Sequence, residues 1–137
     1  SGLVCHLLGI RSTAELEVSP FAGAVFEGFV VSEVIKAQQA AGLERDVYYF
    51  RDEQGLEVDI VLSPQEGKAV LAECKMSKTV TPDMSVPMRR LAAALMGKVD
   101  DLSMYLVHNP LKSGRATHTA GANVRAVSVK EFIVAIS

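Results

Sequence analysis

The chain has 137 residues, 49% of them apolar and 22% charged, with a formal net charge of −2. That length suffices for one domain with its own core, and the composition is that of a folded globular chain, not a disordered one. So small a net charge excludes a global pull toward nucleic acid or acidic membrane, and any phosphate contact has to come from a local basic patch.

No apolar run approaches the ~20 residues of a membrane span, and no signal peptide is visible. Cys5 and Cys74 stand far apart in apolar contexts and read as reduced core thiols of a cytoplasmic protein. His6, His108 and His118 form no cluster of zinc-ligand spacing. His6 reads as a packing or interdomain residue on its short apolar helix.

"SGLVCHLLGI" enters that helix at Leu3–Leu8 almost at once and closes it at Gly9. Such a start suggests a domain cut from a longer protein whose upstream part covers the helix; a second copy of the chain is the other partner it admits. Ser12 to Glu15 has capping-box spacing and opens a brief second helix. The longest helix follows, with Ser19 as N-cap, Pro20 in the first helical position and Gly42 as the stop. Residues 1–18 are thus an N-terminal helical segment, and 19–137 are the core of a single domain.

Three strand-like runs come next: "VYYF" at 47–50, "LEVDIVL" at 56–62 and "KAVLAECK" at 68–75, separated by turn residues at 53–55 and 63–67. Tyr48, Tyr49 and Phe50 read as core residues of the first. A further helix begins at Thr81-Pro82, carries Val86, Leu91, Ala92, Leu95 and Met96 at helical spacing, and ends at Gly97. "LSMYLVH" at 102–108 is a strand, and 109–123, which contains His118, is a polar loop expected to be mobile. "VRAVSV" is a short strand, and Ser128-x-x-Glu131 caps a terminal helix. The order predicts a mixed α/β domain.

Within the second and third strands four charged residues interrupt the apolar pattern: Glu57, Asp59, Glu73 and Lys75. Alternation puts Val58, Ile60 and Leu62 on one face and Glu57, Asp59 and Val61 on the other. Leu71, Glu73 and Lys75 likewise share a face opposite Val70, Ala72 and Cys74. A turn centred near Gln65 or Glu66 makes Asp59 and Glu73 close neighbours, and adjacent carboxylates repel. Lys75 offsets part of that repulsion, and a divalent cation is the natural remainder, because Mg²⁺ is held by one or two carboxylates with water and phosphate. A charged solvent face of an ordinary hairpin accounts for the same residues. Glu27 tips the balance: its helical neighbours Gly23, Ala24, Val30 and Val31 are all small or apolar, so its carboxylate lies on a face built for close packing. Glu33, beside Lys36, reads as a solvated helix residue.

A helical Glu27, a strand bearing Asp59 and a strand ending in Glu73-x-Lys75, within an αβββαβ order, resembles the PD-(D/E)xK, or restriction-endonuclease-like, superfamily. Across nearly the whole length, "GLVCHLLGI", "GAVFEGFVVSEVIK", "YYFRDEQGLEVDIVL" and "AECKMSKTV" resemble the C-terminal domain of unknown function (DUF4143-type) of prokaryotic AAA-type ATPases. In those proteins ATP-binding and winged-helix domains precede it. Two departures stand out: Val58, not Pro, precedes Asp59, and Cys74, best read as core packing, fills the middle of Glu-x-Lys.

The resemblance implies a restriction-endonuclease-like core with a central mixed sheet flanked by helices, and a Mg²⁺- or Mn²⁺-dependent phosphodiesterase acting on DNA or RNA. In that reading Asp59 and Glu73 hold the metal with the Cys74 carbonyl, Lys75 positions water or neutralises developing charge, and Glu27 is an outer metal ligand. The competing reading is a non-catalytic interaction or regulatory module of the ATPase with a degenerate nuclease fold. Arg51, Asp52, Lys78, Arg89 and Arg90 are candidates for a phosphate-contacting rim, with scattered surface charge the simpler account.

Overall fold

In the computed structural model residues 2–109 and 118–137 are described. They form α1 (Gly2–Leu7), α2 (Thr13–Glu17), α3 (Ala22–Ala40), β1 (Tyr48–Arg51), β2 (Glu57–Leu62), β3 (Lys68–Lys75), α4 (Val86–Leu95), β4 (Asp101–His108), β5 (His118–Thr119), β6 (Val124–Val127) and α5 (Val129–Ile136). The strands make one mixed sheet in the order β1-β2-β3-β4-β6-β5. β1, β2 and β3 are an antiparallel meander, β3, β4 and β6 run parallel, and β5 pairs antiparallel at the far edge. A parallel neighbour needs a crossover, and α4 supplies the one between β3 and β4.

Both faces are covered. α3 and α5 close the first with Phe26, Val30, Val34 and Phe132 on Ile60, Leu62, Ala72, Cys74, Tyr105 and Val107. α4 closes the second with Met88, Leu91 and Ala92 on Val58, Leu71, Leu106, Val124 and Ala126. β3 is therefore buried from both sides from Leu71 to Cys74, and a charged residue there meets low dielectric whichever way it points.

Several elements depart from the expected pattern. Strict alternation fails in β2: Tyr48 faces Val61 while Phe50 faces Val58, so two steps on β1 span three on β2. The extra residue is a β-bulge at Asp59–Ile60, and it turns Val58 onto the second face, with Val61, away from Ile60 and Leu62. β1 is an edge strand, so Tyr48 and Tyr49 are exposed and only Phe50 packs. Ser19-Pro20 is a turn and not the helix start; the Ser19 hydroxyl accepts from the Phe21 N–H at 3.2 Å and α3 begins at Ala22.

Two prolines reset the next helix. Pro82 opens a 3-10 turn over Pro82–Ser85, and Pro87 starts α4 afresh because it has no N–H to continue the ladder. The core side is consequently Met88, Leu91 and Ala92, while Val86 and Met96 are exposed. Cys5 is not a core thiol, since α1 buries none of its residues; Cys74 is. The expected mobile loop lies outside the described residues over 110–117, and His118 belongs to a strand, in register with Ala126. The terminal helix has the full capping box between Ser128 and Glu131.

Phe132 is fully buried with its ring centroid 5.3 Å from that of Tyr105. Phe132→Ala is expected to cost about 3–5 kcal/mol in urea denaturation, whereas Tyr49→Ala, on the open edge, should stay within ~0.5 kcal/mol of wild type.

Candidate functional site

β2 and β3 pair with Ile60 opposite Ala72, Val61 opposite Leu71 and Leu62 opposite Val70. Carried on by one residue, that register sets Asp59 opposite Glu73. There the bulge bends β2, and a side chain takes over from the ladder: Asp59 Oδ2 accepts the Cys74 N–H at 2.7 Å. The N–H and C=O of one strand residue point to the same side, so the Cys74 carbonyl also opens toward Asp59.

Glu73 is 2% exposed. Its Oε2 accepts from Lys75 Nζ at 3.2 Å, while Oε1 is buried with no hydrogen-bond partner. Burial first, and then the neighbouring Asp59 charge, push its carboxyl up from 4.5 to about 7, with Lys75 pulling the other way. For Lys75, burial disfavours the charged form, but Glu73 and Asp59 outweigh it and raise its pKa, so the ammonium stays protonated at neutral pH.

Glu27 is half-buried on α3, the helix that packs on the Ala72 and Cys74 face of β3. Burial raises its carboxyl, as do Asp59 and Glu57, while Lys75 lowers it; Glu73 is not among the charges acting on it. Asp59 and Lys75 are thus felt by both carboxyls. The structure brings Asp59, Glu73 and Lys75 together and sets Glu27 at the Asp59–Lys75 side of the cluster. The Cys74 thiol lies in the middle, pushed up by burial and by Asp59, Glu27 and Glu73; a thiol so buried and so surrounded by negative charge is packing, not a nucleophile.

Among the described residues, the basic residues named as a phosphate rim do not gather at the cluster as free cations. Arg51 pairs with Glu57 at 3.0 Å and Lys78 with Glu17 at 3.2 Å. Asp52 staples its own turn by accepting the Gln54 and Leu56 N–H groups. Arg89 lies against Gly121 with Nε buried, and Arg90 is exposed on α4. Glu33 and Lys36 form the expected solvated pair at 2.7 Å.

Two residues near the cluster carry more than the sequence reading assigned them. Glu57 acts on Glu27 as well as on Arg51, and its place in the charged run of β2 was the available signal. His108 is the register neighbour of Lys75 on β4, buried, with Nδ1 against the Ser77 carbonyl at 3.3 Å. Only the parallel pairing reveals that adjacency.

Among the described residues no three His, Cys, Asp or Glu side chains stand ready to enclose a metal. The donors within reach are the carboxylates of Asp59 and Glu73 and the Cys74 carbonyl, all oxygen. An orphaned, buried Glu73 Oε1 fits a hard cation that draws its remaining ligands from water.

The raised Glu73 carboxyl sets a pH dependence. Between pH 4.5 and about 7 the folded chain keeps a proton that the unfolded chain has lost. Its contribution is therefore full below pH 4.5 and lost as pH rises through 7, on the order of 3 kcal/mol in all. Urea midpoints for wild type should fall across that window, and Glu73→Gln should flatten the fall. Asp59→Asn keeps an oxygen acceptor for the Cys74 N–H while deleting the charge, so it should preserve or raise stability at neutral pH.

Among the described residues no helix is long and apolar enough to cross a membrane. No curated protein and no solved structure gives a significant match to this chain. The profile of a family described as "Domain of unknown function (DUF4143)" matches residues 22–132, from the start of α3 into α5. That span takes in Glu27, Asp59, Glu73 and Lys75 together with every strand of the sheet. The chain belongs to the DUF4143 family.

Proposed function

We propose that this chain is a restriction-endonuclease-like domain that cleaves nucleic-acid phosphodiesters with Mg²⁺ or Mn²⁺, as part of an AAA-type ATPase. One observation carries the reading: a carboxylate that is 2% exposed, with one oxygen unpartnered, held against a second carboxylate and a lysine where β2 leaves the ladder. A structural ion pair needs no second acid at its side, and the crowding costs stability.

In this reading Asp59 and Glu73 hold the divalent ion together with the Cys74 carbonyl, and Glu27 stands behind Asp59 as an outer ligand. When bound, such an ion supplies an acidified water and positive charge for a phosphate. Lys75, protonated and tethered to Glu73, neutralises charge that develops on the phosphate oxygens. Asp59 keeps the end of β3 in place through the Cys74 N–H, which fixes the spacing of the other groups.

The second reading, a non-catalytic module of the ATPase, draws support from Arg51 and Lys78, which are held by Glu57 and Glu17 instead of standing free for a polyanion. The two readings separate on the metal. Any ligand that binds only the folded form stabilises it by about 2.7 kcal/mol at a hundredfold excess over Kd. Millimolar Mn²⁺ is therefore expected to raise the melting temperature of wild type by several degrees, and Asp59→Asn should abolish that response. With Mn²⁺ and labelled single- and double-stranded DNA and RNA, wild type should cleave and Asp59→Ala should not, a loss on the order of a hundredfold or more. Melting that ignores Mn²⁺, together with no cleavage of any substrate, would leave the interaction module as the better account.

A further inference from the structure

The N-terminal helices hide almost nothing. Among the described residues, neither α1 nor α2 has a buried residue. Leu3, Val4, Leu7, Leu8, Val18, Phe21 and Phe29 are all exposed. Leu3, Val4, Leu7, Leu8 and Phe21, which gather at α1 and the start of α3, expose on the order of 500 Å² of apolar surface, the larger part of the ~800 Å² that each partner brings to a standard interface. Exposed patches of that size mark contacts.

The patch has relief. Leu3 and Leu7, 71% and 75% exposed, stand one helical turn apart and form a ridge. Beside it runs a groove of about 370 Å³, lined by Val4 of α1, by Leu8 just after it, and by Phe21, Ala24, Val25 and Gly28 at the start of α3 and just before it. Small residues keep the groove open: a Cβ added to Gly28 would meet nothing within 4 Å.

We propose that this face is the contact between two copies of the chain, related by a two-fold axis that seats Leu3 and Leu7 of each copy in the groove of the other. A two-fold contact needs one patch that complements itself, and here the ridge on α1 lies beside a groove between α1 and α3. It also sets like against like, which a charged patch resists, and residues 2–10 contain no Asp, Glu, Lys or Arg. The contact borders the acidic cluster, because Ala24 and Gly28 flank Glu27 on α3, but it does not depend on the phosphodiester reading.

Sedimentation equilibrium on the 137-residue protein tests it. At roughly 100 µM, well above the micromolar Kd such an area supports, the mass should be that of two 14.7 kDa chains. Leu7→Glu puts a charge on the ridge and Gly28→Leu fills the groove. Both sites are exposed and the second gains helix propensity, so the monomer fold should survive, as circular dichroism of dilute samples will register. Each variant should weaken association more than about tenfold. If Leu7→Glu disturbs α1 itself, Gly28→Leu carries the test alone. A wild type that sediments as one chain overturns the dimer and leaves the face to a different partner. A dimer that keeps its affinity in the folded variants overturns the placement.

Discussion

A single carboxylate, that of Asp59, stands in for a main-chain acceptor at the Cys74 N–H, and the local architecture turns on that substitution. β3 is buried on both faces, so an unpaired N–H at its end would be costly. β2 pairs with β3 only from Ile60 to Leu62, and the bulge at Asp59–Ile60 takes the preceding residues off that ladder. Asp59 fills the gap with a charged oxygen. In doing so it brings a negative charge beside Glu73 and Lys75, and it leaves the Cys74 carbonyl facing the same opening.

Glu73 takes its character from that arrangement. An acid in a sealed strand ordinarily needs all its oxygens satisfied. Here one oxygen has Lys75 and the other has nothing. With Glu73 buried there and Asp59 close by, the folded chain does better to hold a proton near neutrality than to accept a second adjacent negative charge. The cluster is therefore held at a cost in stability at neutral pH.

The helices divide the labour. α3 and α5 build one core and α4 the other, so each face of β3 has its own support. α3 then does two further things with its first turns. One side carries Glu27 toward Asp59 and Lys75. Its neighbours Ala24 and Gly28 meet no core and keep an apolar groove open beside α1.

The sequence by itself determined the order of elements apart from β5, most of their bounds, and the grouping of Asp59, Glu73 and Lys75 on β2 and β3. Period-two alternation around a short turn is local information, and in β3 nothing disturbs it, so Lys68–Lys75 was legible residue by residue. Ser128 and Glu131 were equally legible, because a capping box closes within four residues. Other features depend on partners distant in the chain, and only the tertiary structure decided them. The bulge at Asp59 is a mismatch between two strands, and neither strand spells it alone. The exposure of Tyr48 and Tyr49 follows from β1 lying at an edge, and strand order is not written in β1. Glu27 was legible as an acid among small and apolar residues; of these Val30 and Val31 joined the core while Ala24 lines a groove, and the approach of Glu27 to Asp59 depends on where α3 crosses the sheet. The adjacency of His108 to Lys75 comes from parallel pairing across a crossover, which no local pattern encodes.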